Sequence, residues 1–124
     1  MFNMSDDKRN FLIMNGIDVV SGIVNTMDEE TYNEVLLEFY DELLLDIDKM
    51  KSFKELNDMS NYGIVAHALK SNCRMLGFTN LGEMFYLHEI AGKNNDNNYV
   101  NVHYDELMLN VENVINILKK YKEM

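Results

Sequence analysis

The chain has no proline, no tryptophan and a single cysteine among its 124 residues. Without proline, nothing in the backbone chemistry forces a helix to kink or stop, and one cysteine cannot close an internal disulfide. Glycine is scarce, six in all. No apolar run approaches the roughly 20 residues that a membrane-spanning helix needs. Positive charge is also short, with 11 Lys and Arg against 21 Asp and Glu and a formal net charge of −10. That balance argues against nucleic-acid binding, because phosphate backbones are gripped by clustered cations. The stretch Met1-Phe2-Asn3-Met4-Ser5-Asp6-Asp7 lacks the basic and apolar regions of a secretion signal. The expectation is a cytoplasmic protein with no membrane partner.

What the chain does contain favours helix. Leu, Met, Glu and Lys are plentiful, 47% of residues are hydrophobic, and the length suits one core better than two. The spacing predicts a short helix over Asp7–Met14, ended by Asn15-Gly16, and another from Asp18 to about Thr26 with Val19, Val20, Ile23 and Val24 inward. A longer one runs from Thr31 to about Phe53 on the stripe Tyr32, Val35, Leu36, Phe39, Tyr40, Leu43, Ile47 and Met50. Glu34, Glu38, Asp41 and Asp48 line its outer side as a solvated face. Another begins after Asp58 or Ser60 and stops at Leu76-Gly77; the next is capped by Thr79 and turns Leu81, Met84, Phe85, His88 and Ala91 inward. Asn94 to Asn98 reads as a loop. The last helix starts at about Tyr99 and buries Tyr104, Leu107, Met108, Val111, Val114, Ile115, Leu118 and Tyr121. The expected fold is all-α: an antiparallel four-helix bundle with one or two short N-terminal helices, a single domain over residues 1–124.

One helix carries chemistry. Tyr62, Ala66, Leu69, Cys73 and Leu76 recur at spacings of three and four residues, the stripe of a helix packed on a core. His67 lies off that stripe, on a face with Gly63, Ile64, Lys70, Ser71 and Arg74, and so is turned toward a partner. Neutral imidazole is a nucleophile near pH 7. Lys70 and Arg74 oppose a further positive charge beside it, and both are placed to neutralise an anionic group it acquires.

The run His67-Ala68-Leu69-Lys70, followed by a small residue and by Leu76-Gly77, resembles the signature of histidine phosphotransfer (HPt) domains of bacterial phosphorelays. The likeness extends to Gly16-Ile17-Asp18, the helix beginning near Tyr32, Ala91-Gly92-Lys93 and the final helix, so it spans nearly the whole chain. The resemblance implies that His67 accepts a phosphoryl group through the ring nitrogen far from the backbone, and that Lys70 contacts the phosphate; Arg74, two turns from His67 on the same face, is placed by helical spacing to join it. Partners would be response-regulator receiver domains or a hybrid histidine kinase, docking on Ser60, Gly63, Ile64 and Ser71. Such a chain is a carrier without kinase activity of its own and needs no cofactor, the divalent metal being held by the receiver. Ser71 departs from the pattern, since the family often has Gly there; slower or more selective transfer is expected.

Other candidates carry less. His88 falls on an apolar stripe and reads as a core histidine bonded to one neighbour; His103 reads as a surface residue, and Cys73 as a small buried hydrophobe. No Glu-x-x-His pair marks a di-metal bundle. Asn94, Asp96 and Asn98 match the first positions of a calcium loop, but Tyr99 stands where a glycine must turn the chain and Asp105 replaces the bidentate Glu. Most of the ten methionines fall on inward faces. The rival to the relay is a helical interaction module that binds a receiver or another protein without carrying phosphate.

Overall fold

The computed structural model describes residues 4–124; Met1, Phe2 and Asn3, part of the stretch inspected for a secretion signal, lie outside the described residues. Six helices account for nearly all of it: α1 (Asp6–Met14), α2 (Val19–Thr26), α3 (Glu29–Glu55), α4 (Met59–Leu76), α5 (Thr79–Lys93) and α6 (Asn97–Glu123). Carboxylate caps start four of them. Asp18, Asp28, Asp58 and Asp96 accept the backbone N–H of Ser21, Thr31, Asn61 and Tyr99, satisfying donors that the first helical turn leaves free. Gly16 at φ +83° and Gly77 at φ +93° end α1 and α4 in the left-handed region that side chains avoid.

The four long helices, α3 to α6, form an antiparallel bundle. Each packs on its neighbour in the chain, α3 closes the ring against α6, and the connections between them are only two or three residues long. Tyr32, Leu36, Phe39 and Leu43 of α3 meet Tyr62, Leu69 and Leu76 of α4, Phe85 of α5 and Leu107, Leu118 and Tyr121 of α6 in one continuous core. The helices α1 and α2 cover one end, with α2 on α3 and α4 and α1 on α6. No helix among the described residues is long and apolar enough to cross a membrane.

Three details differ from the sequence reading. Val20 and Val24 face solvent, and Val19, Gly22 and Thr26 are the buried residues of α2. The reason is Gly22, whose lack of a side chain admits the Tyr32 ring and the Leu76 carbonyl and so chooses the buried face. Thr79 is the first residue of α5 and does not cap it. The tight closure of α4, with Phe78 N–H on the Cys73 carbonyl at 2.9 Å, puts the buried Phe78 at the cap position instead. Asn97 and Asn98 belong to α6, because Asn95 turns the chain at φ +53° and Asp96 caps the helix.

The α4–α5 pair has the most extensive interface of the bundle, and it closes at two glycines. A Cβ on Gly92 would stand 2.6 Å from Gly63 Cα and 2.8 Å from the Met59 carbonyl, both backbone atoms that cannot rotate away. Gly92→Ala is therefore expected to destabilise the protein by about 2 to 3 kcal/mol through overpacking, read as a lowered midpoint in chemical denaturation. An unchanged midpoint would mean that the two helices part without cost.

Candidate functional site

The close crossing at Gly63 and Gly92 sets α5 beside the outward face of α4, one turn from His67. Three positions on α5 then come within reach of the histidine face. Glu89 and Lys93 are one turn apart on that helix, and Tyr86 lies on the side toward Lys70 and Arg74.

Glu89 organises the site. Its residue is 2% exposed, yet it is an acid, and a carboxylate withdrawn from water needs compensating charge. Three groups supply it. His67 Nδ1 is 2.9 Å from Oε2, Lys93 Nζ is 2.8 Å from the same oxygen, and Lys70 Nζ is 2.7 Å from Oε1. The Lys70 contact is an ion pair off the direction of an aligned hydrogen bond, and Oε1 has no other partner. Burial pushes the Glu89 carboxyl up, but the contacts from Lys70, Lys93 and His67 more than offset it and hold it at about 2.

An ionised carboxylate only accepts, so the bond from His67 requires the proton to sit on Nδ1. In the neutral imidazole Nε2 is then the nitrogen that carries the free lone pair. The His67 side chain is 58% exposed, so that lone pair is open to a partner. Beside it lies a cavity of about 620 Å³, lined by Ser60, Gly63, Ile64, His67, Gly92, Lys93 and Asn95. Ser60, Gly63 and Ile64 thus gather at the histidine as the spacing predicts, with one change. Gly63 is buried against Gly92 and forms the floor of the cavity instead of standing on the open face.

The cations are not placed as the sequence suggests. The Lys70 side chain is only 12% exposed, held by Glu89 and lying over the Tyr86 ring with Nζ 5.6 Å from its centre. Its Nζ is 3.3 Å from Nδ1, the bonded edge of the imidazole. Arg74 points to Glu83 at 3.7 Å and over the same tyrosine ring at 5.1 Å. The two do not form a free basic patch, because α5 brings a carboxylate to each. Ser71 is exposed and its hydroxyl donates to the His67 carbonyl at 3.1 Å, so it adds little bulk or polarity to the face.

Glu89 and Lys93 are the site residues that sequence reasoning missed as a pair. Their spacing of four along a helix is a visible signal; the burial of Glu89 is not, since it depends on where α5 crosses α4. The remaining candidates behave as structural residues. His88 is buried and its Nδ1 is hydrogen-bonded with the Tyr62 hydroxyl at 2.7 Å, with burial pulling the imidazole down to about 4, so it is neutral at pH 7. His103 is half-exposed and stacks on Tyr99, ring centres 4.2 Å apart. Burial pushes the Cys73 thiol up, which leaves it protonated and unreactive. Among the described residues, no group of three or more His, Cys, Asp or Glu is placed to hold a metal ion.

Comparison with protein-family models, curated proteins and solved structures finds no match.

Because the folded Glu89 carboxyl lies below its ordinary value of 4.5, it stabilises the fold above that pH, and the contribution fades as pH falls from 4.5 toward about 2. Urea denaturation across that window should show a loss of stability on acidification that is shallower in Glu89→Gln. Identical acid limbs in the two proteins would mean that the carboxylate is not ionised in the fold.

Proposed function

We propose that this chain is a histidine phosphotransfer protein, a phosphoryl carrier between receiver domains. The observation that supports it best is the state of His67: a half-exposed imidazole on a rigid helix, its Nδ1 tied to a buried carboxylate and its Nε2 free beside an open cavity. This is the arrangement a nitrogen nucleophile needs, with the attacking lone pair aimed out and the ring orientation held from behind.

The transfer is balanced simply. His67 Nε2 attacks the phosphorus of an aspartyl-phosphate on a receiver domain. The N–P bond forms, the P–O bond to the aspartate breaks, and its electron pair leaves as the carboxylate. Reversal onto a second receiver passes the group on. The Nδ1 proton stays in place throughout, facing Glu89, whose negative charge offsets the positive charge that develops on the ring. Phosphoryl transfer asks for alignment and charge neutralisation more than for covalent help. By resemblance to HPt domains the divalent metal and a lysine come with the receiver, so this chain supplies the nucleophile and the docking face around Ser60, Ile64 and Ser71.

The overall acidity of the chain does not oppose such docking, because two lysines, Lys70 and Lys93, collect around Glu89 in a short stretch of α4 and α5. The same surface without phosphate would suit a plain receiver-binding module. A buried carboxylate oriented onto an exposed imidazole has no use in that role, since it fixes a ring nitrogen that binding alone would leave unused.

The test is transfer from a receiver labelled on its aspartate. Wild-type protein should acquire base-stable, acid-labile phosphate, and His67→Gln should lose it by at least about 100-fold, the scale expected when a covalent nucleophile is removed. Stable binding of the receiver with no label on either protein would replace the relay with the interaction module.

A further inference from the structure

Two lysines share one carboxylate at this site, and they are not equivalent. Glu89 can neutralise one positive charge. Lys70 is the buried one, 12% exposed, fixed between Oε1 and the Tyr86 ring. Lys93 is 69% exposed and holds Oε2 together with His67. The cavity beside the imidazole is bordered by Lys93, and neither Lys70 nor Arg74 lines it. Lys70 also approaches the ring at Nδ1, at 3.3 Å, which is the edge facing away from the free lone pair.

From this division we infer that Lys93 is the cation that contacts a phosphoryl group on His67 Nε2, while Lys70 is a positioning residue that keeps Glu89 ionised and in place. The inference rests on the phosphotransfer reading. His67 and Lys93 line the same cavity, and Lys70 does not, so a group carried on the imidazole shares that space with Lys93. Lys93 needs only a change of side-chain torsions to leave Oε2, because its stem is in water and carries no packed neighbour that must move. Glu89 keeps His67 and Lys70 when Lys93 departs, so the carboxylate is not stranded. Lys70 has no such freedom: leaving Glu89 would uncover a buried acid with one fewer partner, a costly exchange. Arg74 is held by Glu83 and Tyr86 further along the same helix. The remaining charged or titratable groups near the imidazole are thus Lys70 and Arg74 on α4 and Glu83, Tyr86, Glu89 and Lys93 on α5. Only Lys93 is both largely exposed and on the lining of the open space.

The full chain can be tested without a partner, with phosphoramidate as the phosphoryl donor and the phosphohistidine followed by phosphorus NMR. Lys93→Ala should phosphorylate about tenfold more slowly than wild type at low ionic strength, the effect expected from losing one charge-assisted hydrogen bond. It should also lose most of the salt dependence of the rate. Lys93→Arg should restore the rate to within about threefold, since it keeps the charge at the same reach. Lys70→Met should lower the rate equally at low and high salt, because its effect passes through the orientation of Glu89 and the ring. Lys93→Ala equal to wild type in rate and salt response, with Lys70→Met carrying the salt dependence, overturns the assignment and leaves the carrier reading intact. Wild-type protein that gives no signal lost in His67→Gln overturns both.

Discussion

A carboxylate excluded from water costs several kcal/mol unless its charge is answered nearby, and in this bundle Glu89 is answered from two helices at once. His67 and Lys70 reach it from α4 and Lys93 from its own α5. Because the acid is ionised, it can only accept, and that single fact decides which nitrogen of His67 carries the proton and which is offered to solvent. Remove the charge and the imidazole has no fixed tautomer, Lys70 has no reason to stay folded against Tyr86, and Lys93 is an ordinary surface lysine. The chemistry of the site is therefore downstream of one buried ion cluster.

That cluster depends in turn on how closely two helices approach. Gly63 and Gly92 let the α4 and α5 backbones meet with no side chain between them, and the helices α4 and α5 are joined by only Gly77 and Phe78. Gly77 in its left-handed conformation also packs beneath the Asp18 carbonyl, so α2 is tied to the same turn. The Asp18 N–H donates to the Gly77 carbonyl at 3.0 Å. His67 thus sits in the middle of an 18-residue helix braced at its far end, where fraying is least. The proposed phosphoryl transfer would draw on such rigidity, since alignment is the main contribution a carrier makes to the reaction.

Much of the fold was readable from residue order alone. Aspartates at 18, 28 and 58 announce helix starts, Gly16 and Gly77 announce ends, and the stripe through Tyr32, Leu36, Phe39, Leu43 and Met50 gives the inward face of α3 directly. Periodicity failed where a small residue, not a large one, faced the core: Gly22 turned α2 so that Val20 and Val24 point outward. The site was half legible for a related reason. His67 stands out because it leaves a clean apolar stripe, and its neighbours one and two turns away follow from helical geometry. Glu89 lies 22 residues further on, and nothing local distinguishes it from the exposed acids of α3. Its role arises only when the glycine crossing brings α5 against α4, a tertiary event with no periodic signature. Lys70 and Arg74 read as free cations for the same reason, because their carboxylates arrive from the other helix.

The acid cluster also reconciles a strongly negative chain with the anionic group proposed for this site. Many of the carboxylates line outer faces such as that of α3, while Glu89, the carboxylate bonded to the histidine, is already matched by more positive charge than it carries. The account stands or falls on the proton of His67. Nitrogen-15 NMR of the imidazole in the intact protein at neutral pH reads it directly: the account requires a protonated Nδ1 and a lone pair on Nε2, with that preference lost in Glu89→Leu. A ring protonated on Nε2 in the wild type, or one indifferent to Glu89, would contradict it.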